Sequence, residues 1–491
     1  MNPDCKLCSR RWRIARRFSQ AVVMASLIYM SLFIHAPVAR GDDADIRLQG
    51  DRLEGLDYTT IVVEEKSGEG NNSHPVNIGV PIPAVQSLEN IWLARVGGDE
   101  TLEPVALQVL EVLESDWQEG KPPPRPVKVI DIVFLADLEA GEEARFRLYY
   151  GEEVGDLPGP ETEPALGIEI GDGLARSIDA GPAEFEFHDK SGQLLSYKLS
   201  GVDRLVGFWS PDEPKPIHHN PDVWVPHQAW GHTSGWNIER EELAPEYDEA
   251  DGPLAWRSVR TGHIPRSNET EATVTYTAFA GLPVLFESSA MRFTRNTAVN
   301  AVRNNELVFR RGLHTHGIYI DHDGELHTFR LYDPDEQEKC FAHIGENLLP
   351  PDVPFIGMFH EDHGYGIGIV TLGHSAMNVE GIASPGAGGA HYYFCEIKGR
   401  EDPDLDFTYF CRGEVFNTDF NPTRPTWQRH KWNTTVIPAG ALYAERSAIL
   451  AFEVDSDWNG EEDAFVEVER WIRLLRRPPR ISIIDGIDSR L

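Results

Sequence analysis

The chain has 491 residues, with 45 Lys and Arg against 79 Asp and Glu, a formal charge of −34 at pH 7. That acidity repels phosphate backbones and excludes ordinary nucleic-acid binding. The length exceeds one ordinary core and predicts two domains.

In chain order, the first element is a leader. RRWRIARRF is cationic, AVVMASLIYMSLFI is a mainly apolar run of fourteen, and Ala39 and Gly41 fit the small-residue cleavage rule. A spanning helix wants about twenty apolar residues. Residues 1–41 therefore read as a signal peptide, with an uncleaved anchor as the alternative. The protein is expected to be secreted or periplasmic, with no membrane span after signal removal. Cys5 and Cys8 leave with the leader.

Residues 42–152 hold IWLARV, VALQVLEVL, VKVIDIVFLADL and ARFRLYY, short alternating or β-branched runs that predict strands of a small β domain. Residues 153–165 are acidic and rich in Pro and Gly, and read as a linker. Residues 166–458 return to strand patterns (AEFEFHD, ATVTYTAFA, YGIGIVTL, HYYFCEI, SAILAFEVD) and predict a larger β domain. Residues 459–491 hold the one convincing helix and a tail. EEDAFVEVERWIRLL spaces Phe465, Val468, Trp471 and Leu474 along one helical face, and Pro478 and Pro479 end it. The fold class is all-β.

The first functional candidates lie in FWSPDEPKPIHHNPDVWVPHQAWGHTSGW, residues 208–236, whose prolines exclude a regular central strand. Indoles stack on the apolar faces of sugars, which makes Trp224, Trp230, Trp236 and His232 candidate substrate contacts. The alternative is that these tryptophans plug the interior beneath a long connection. Residues 291–311 follow, with five arginines against one glutamate. Such an island needs a negative partner: either the surrounding carboxylates, or a uronate held by two parallel hydrogen bonds. Arg310 is the candidate to bind that uronate and Arg311 to neutralise it.

HTHGIYIDHDGELH, residues 314–327, predicts a hairpin closing at Asp323 and Gly324. That turn pairs Ile320 with His327, Ile318 with Phe329, His316 with Leu331, and His314 with Asp333. His314, His316 and Asp333 then share one end of one sheet face, a two-histidine, one-carboxylate set for a divalent metal such as Zn or Ca. A four-residue turn instead sets Leu331 opposite His314. No cofactor is required: in a metal-free reading His316 is the base, Tyr365 the acid and Arg311 the neutraliser, the groups that β-elimination from a uronate needs. A third reading leaves these imidazoles hydrogen-bonded at a wet sheet edge. His322 and His327 are expected to be solvated near the turn. His360 and His363, in FHEDHGYGIGI, join the group if their hairpin packs beside residue 314. Turn preference accounts for them as well. A symmetric hairpin about Pro403 places Cys395 opposite Cys411, either as a disulfide or as two small buried hydrophobes.

NIGVPIP at 77–83, the strand with Leu107 and Gln108, and LADLEAGEEARFRLYYG at 135–151 resemble the small N-terminal barrel of the exo-rhamnogalacturonan-lyase-like (YetA-like) proteins. DAGPAEFEFHDKSGQLL and HEDHGYGIGIV are similar to that family's central sandwich. The resemblance implies a RIFT-type β-barrel over residues 42–152 and a large β-sandwich over 166–458. Two departures stand beside it. KPPPRPVKVIDIVF replaces the barrel's tryptophan-centred segment, and the chain leaves no room for the family's α/α toroid. No family catalytic residue carries over.

These features predict an exported carbohydrate-active protein whose partner is a polysaccharide or oligosaccharide, with a polysaccharide lyase-like enzyme acting on uronic-acid-containing polymer as the leading reading. The alternatives are a non-catalytic carbohydrate-binding or scaffold protein and a glycoside hydrolase, whose carboxylate pair would leave no signature in so acidic a chain.

Overall fold

The computed structural model describes residues 53, 56–83, 90–114, 127–160, 165–203, 217–225, 232–234, 246–265, 267–310, 313–331, 349, 353–386, 390–396, 407–416, 435–454, 458 and 465–485. All belong to one compact unit, Leu48–Leu491. Among them the fold is all-β, with one α-helix, Val466–Arg476. No helix among the described residues is long and apolar enough to cross a membrane.

The N-terminal strands form two sheets on one core. A five-stranded sheet runs Arg480–Asp485, Asp57–Glu64, Glu143–Tyr150, Ile91–Val96, Leu102–Val105, and a three-stranded sheet runs Asn71–Pro83, Val127–Leu138, Gln108–Glu114. Their period of two turns Ile61, Val80, Ile130, Phe134 and Phe146 into the shared interior. The sequence reading left residues after the helix as a tail, and the structure corrects this. Arg480–Asp485 is an antiparallel partner of Asp57–Glu64, with Ile481 opposite Val63 and Ile483 opposite Ile61. The alternation in RISIID is real but too short to stand out behind two prolines.

The second group of strands stacks two larger sheets. One has nine strands in the order Glu246–Ala250, Ala255–Ile264, Ser267–Phe279, Val284–Phe293, Leu442–Glu453, Tyr365–Ser375, Phe355–His360, His316–Ile320, Leu326–Arg330. The other contains His232–Ser234, Asp222–Trp224, Ala301–Arg310, Phe407–Phe416 and Ala390–Glu396, with Ile217–His219 also paired to Ala301–Arg310. Trp256, Tyr276, Phe293, Ile356, Phe410 and Ile449 fill part of the space between them. The helix packs on the outer face of the nine-stranded sheet through Phe465, Val468 and Ile472. Phe465, Val468 and Leu474 are buried as their spacing predicts. The hairpin carrying the cysteines is out of the expected register: Cys395 stands opposite Thr408 and Cys411 opposite Tyr392. The two cysteines are therefore not register partners, and Cys411 is a buried side chain.

Gln108 joins the two halves. Its buried amide donates to the Ala255 carbonyl at 2.8 Å and accepts from the Leu254 and Ala255 N–H groups at 2.9 and 2.8 Å. Around it Val133, Leu254, Phe279 and Leu282 form an apolar cluster shared by both groups of sheets. Gly252 is required by this contact, since a Cβ there would lie 2.4 Å from the Gln108 amide carbon. Truncating Gln108 leaves buried backbone donors unpaired at about 1–3 kcal/mol each. Gln108→Ala is therefore expected to lower unfolding free energy by about 2–4 kcal/mol, and Gly252→Ala to destabilise as well. Urea unfolding of both variants measures this, and a midpoint unchanged in Gln108→Ala would remove the contact from the argument.

Candidate functional site

The predicted histidines do gather, in a register other than the expected one. His316 pairs with Arg330, Ile318 with Thr328, Tyr319 with His327 and Ile320 with Leu326. The turn is one residue longer than Asp323 and Gly324 alone. Asp321 accepts from the N–H groups of Asp323 and Glu325 at 3.0 and 2.9 Å, and Gly324 takes φ 83°. Such a loop is one of the common hairpin closures, and a one-residue slip changes which side chains share a face. His327 consequently stacks on Tyr319 at 4.6 Å and bonds Asp321 at 2.8 Å, where solvation was expected.

His314 is buried between Phe309 and Tyr365, at 4.6 and 6.0 Å between ring centres. Burial, with His360 nearby, pulls its pKa down to about 3. His316 stacks on Phe359 at 5.1 Å, with Trp458 edge-on and Thr315 Oγ1 2.9 Å from Nδ1. Burial lowers its pKa too, against the raising effect of Glu361. His360 and His363 sit 4.0 Å apart and both contact Tyr365, so the second hairpin does pack beside residue 314. The ring contacts of Tyr365 are with His314, His360 and His363, and its hydroxyl donates to the Leu313 carbonyl at 3.3 Å. These imidazoles lie among aromatic rings, and burial lowers the pKa of His314, His316 and His360, which favours packing over proton transfer.

Asp333, Arg311, Trp230 and Trp236 lie outside the described residues. Arg310, Trp224 and His232 are described by strand position only: Trp224 pairs with His232 and with Ala301, and Arg310 pairs with Phe407 at the other end of the same sheet. Among the described residues, the ligand-type atoms set within 4.8 Å of one another are those of Asp321, Glu325 and His327 at the hairpin turn.

The most concentrated chemistry lies elsewhere, between the two large sheets. Strand Ala301–Arg310 carries Arg303, Asn304, Asn305 and Glu306 in succession, and all four are buried. A regular strand would turn only alternate residues inward. Here the register shifts at Val302/Arg303 and again between Asn304 and Leu307, and Asn305 adopts φ 49°. Asparagine tolerates that left-handed conformation, and the bulges re-aim the side chains.

Hydrogen bonds within the smaller sheet and across the gap then join these side chains. Asn304 Nδ2 donates to Glu414 at 2.8 Å and its carbonyl accepts from Ser289 Oγ at 3.1 Å. Asn305 Nδ2 donates to Ser447 Oγ at 3.0 Å. Arg412 donates to Glu445 at 3.0 Å and to Thr371 Oγ1 at 3.1 Å. His374 Nε2 lies 2.8 Å from the Glu414 carboxylate. At one side Asn220 donates to Glu287 at 2.7 Å and to Asn305 at 3.0 Å. Arg303 Nε donates to Asp222 at 2.8 Å and Nη1 to Glu306 and the Tyr409 hydroxyl, both at 3.1 Å. For Arg303, the surrounding carboxylates are thus the partner.

Among the described residues the seam has five buried carboxylates, Asp222, Glu287, Glu306, Glu414 and Glu445, against three buried guanidinium groups, Arg260, Arg303 and Arg412. Burial pushes Glu287 up to about 8, opposed by the Asn220 hydrogen bond and by Arg260. Burial also raises Glu445, against the pull of Arg412. For His374 burial disfavours the cation, yet the hydrogen bond and charge of Glu414 prevail and raise its pKa. His391 is driven well below its usual value by burial, helped by Arg412 and His374. Among the described residues, both ring nitrogens of His391, Oε2 of Glu445 and Oδ1 of Asn220 have no hydrogen-bond partner. Buried polar atoms of this kind call for a partner, a water or a ligand group. The sequence did carry a signal: RNNE, CRGE and AERS interrupt otherwise apolar strands with residues that alternation alone would not bury.

No protein-family model and no curated protein sequence matches the chain. Solved structures resemble it in fold. A protein in glycosyl hydrolase family 38 from Enterococcus faecalis has a TM-score of 0.50 at 11% identity, over 88% of this chain and 48% of its own. An alpha-mannosidase from Enterococcus faecalis V583 has a TM-score of 0.46 at 11% identity, over 88% and 47%. A galactose mutarotase related enzyme from Lactobacillus acidophilus has a TM-score of 0.32 at 8% identity, over 57% and 97%. The chain spans about half the length of the first two. At such identities the likeness is one of fold.

The seam makes a prediction about pH. Unfolded Glu287 sheds its proton near 4.5, whereas the folded protein retains it up to about 8. Its contribution is full below the lower value and is lost as pH rises towards the upper one. Glu287→Gln, which mimics the protonated acid, is expected to gain stability relative to wild type between about pH 5 and pH 8. Urea midpoints at those two pH values check it, and a wild-type-to-variant difference that stays constant would contradict the assignment.

Proposed function

We propose that this chain is a carbohydrate-active enzyme whose site is the polar seam between the two large sheets. The observation that carries the reading is the pair His374 and Glu414. A nearly buried imidazole stands 2.8 Å from a fully buried carboxylate, and the latter is itself fixed by Asn304. Such a carboxylate orients the ring and keeps it protonated to higher pH, which suits a general acid that later serves as base. Asn220, His391 and Glu445 supply the free donors and acceptors that hydroxyl groups of a sugar would meet. The name of the structurally similar glycosyl hydrolase family 38 protein agrees with a carbohydrate substrate.

Charge decides between neutral and acidic sugars. A uronate lyase needs a cation for the substrate carboxylate and the enolate that follows. Two of the described cations of the seam, Arg303 and Arg412, are already engaged by carboxylates, and among the described residues buried carboxylates outnumber buried guanidinium groups. The reading better supported is proton transfer at the anomeric centre of a neutral sugar. Action outside the cytoplasm rests on the leader at residues 1–41, and shared ancestry with the lyase-like family rests on the strand motifs quoted for it.

The test is incubation of the full chain with neutral glycosides and with uronic-acid polymers, following reducing ends, anomeric exchange by NMR, and ultraviolet absorbance. Turnover of a neutral sugar is expected. Glu414→Gln should lower kcat by about a hundredfold or more and move the alkaline limb of the pH profile to lower pH, because His374 loses its anion. Unsaturated, absorbing products from a uronate polymer would instead establish the lyase. Sugar binding without turnover, unaffected in His374→Asn, would overturn the enzyme.

A further inference from the structure

The outer face of the nine-stranded sheet carries a second feature, independent of the seam. Where the helix Val466–Arg476 and the N-terminal sheets meet that face, they border an open cavity of about 350 Å³. Strand alternation builds it. Arg446 points outward between Glu445 and Ser447, both of which are turned into the seam. Arg257 likewise points outward between the buried Trp256 and Ser258. The apolar wall comes from Phe279, Phe286 and Trp471, and His74 adds a polar edge.

The electrostatics of this cavity are the reverse of the seam's. Arg257 already stands 3.3 Å from Glu111 and from Asp131. Arg446 is exposed and has neither an ion pair nor a hydrogen bond among the described residues, in a chain with 79 acidic side chains. A guanidinium left open beside an indole, in so acidic a chain, is a place for an anion with a flat apolar body. His74 is held at a pKa of about 4 by burial, against the charge of Glu65, and so is neutral at pH 7. It can meet a hydroxyl without competing for the acid. The volume lies at the lower end of small-molecule sites, about 300–1,000 Å³, and accommodates one or two rings.

We propose that this cavity is a binding site for a small ring compound bearing a carboxylate, the acid on Arg446 and the ring against Trp471 and Phe286. The ligand is a small molecule held at the junction of helix and sheets, where its binding would tie the two groups of strands together.

Benzoate and glucuronate are the probes, titrated into the full chain by calorimetry, with benzyl alcohol and glucose as uncharged counterparts. At least one acid is expected to bind with a Kd below about 10 mM, its counterpart about tenfold more weakly, and Arg446→Gln should cost about tenfold. Arg446→Lys should keep part of the affinity. Because Arg446 is exposed and holds nothing in place, its variants should unfold like wild type. Glu414→Gln should leave this binding unchanged, which separates the cavity from the seam. Equal affinity for acid and counterpart, undiminished binding in Arg446→Gln, loss of binding in Glu414→Gln, or no binding of either acid would each overturn the proposal.

Discussion

The fold rests on a matching problem: two sheets close on one another where the ionisable groups between them are paired or held neutral. In a low-dielectric interior an isolated charge is costly, and removing one member of a buried pair is far worse than never having had the pair. Arg412 and Glu445 come from opposite sheets and both are fully buried. The bond between His374 and Glu414 likewise crosses the gap, with Glu414 held by Asn304 of its own sheet. The register of each sheet therefore fixes the other. A slip of one residue would turn these groups away from their partners and leave several charges unpaired. Apolar packing makes the sandwich stable, and the polar bonds determine which sandwich forms.

The same logic explains how the N-terminal sheets are held. Their contact with the sandwich combines an apolar cluster with Gln108, whose amide completes the backbone where Leu254 and Ala255 begin a strand, and with Arg257, which reaches Glu111 and Asp131. The last described strand returns from the helix to pair with Asp57–Glu64. The chain thus crosses from N-terminal sheets to sandwich and back again. Local opening of the helix would expose both the apolar cluster around Phe279 and the edge of the first sheet, so these elements are coupled in stability.

The sequence made the all-β class and the helix legible because both leave periodic traces: Phe465, Val468 and Leu474 for the helix, alternation in runs such as ATVTYTAFA for the strands. The histidine cluster was legible in part. His314, His360 and Tyr365 do meet, but the expected pairing of His316 with Leu331 failed because the Asp321 side chain stabilises a longer turn than Asp323 and Gly324 alone would form. The seam was hidden for a different reason. Arg303, Asn304, Asn305 and Glu306 read as an exposed polar patch unless two bulges are known in advance, and bulges depend on partners a hundred residues away. The arginine island was noticed, yet Asp222, which answers Arg303, stands on a strand only three residues long in a proline-rich stretch.

Alternation along the strand Leu442–Glu453 sorts charge by face. Glu445 and Ser447 enter the seam, where carboxylates outnumber guanidinium groups, while Arg446 stands on the opposite surface. Neighbouring residues so placed are separated by the thickness of a sheet and by apolar side chains, so neither field cancels the other. An acidic interior selects against anions and an open arginine selects for them. One strand, through its period of two, therefore gives the molecule two surfaces with opposite preferences.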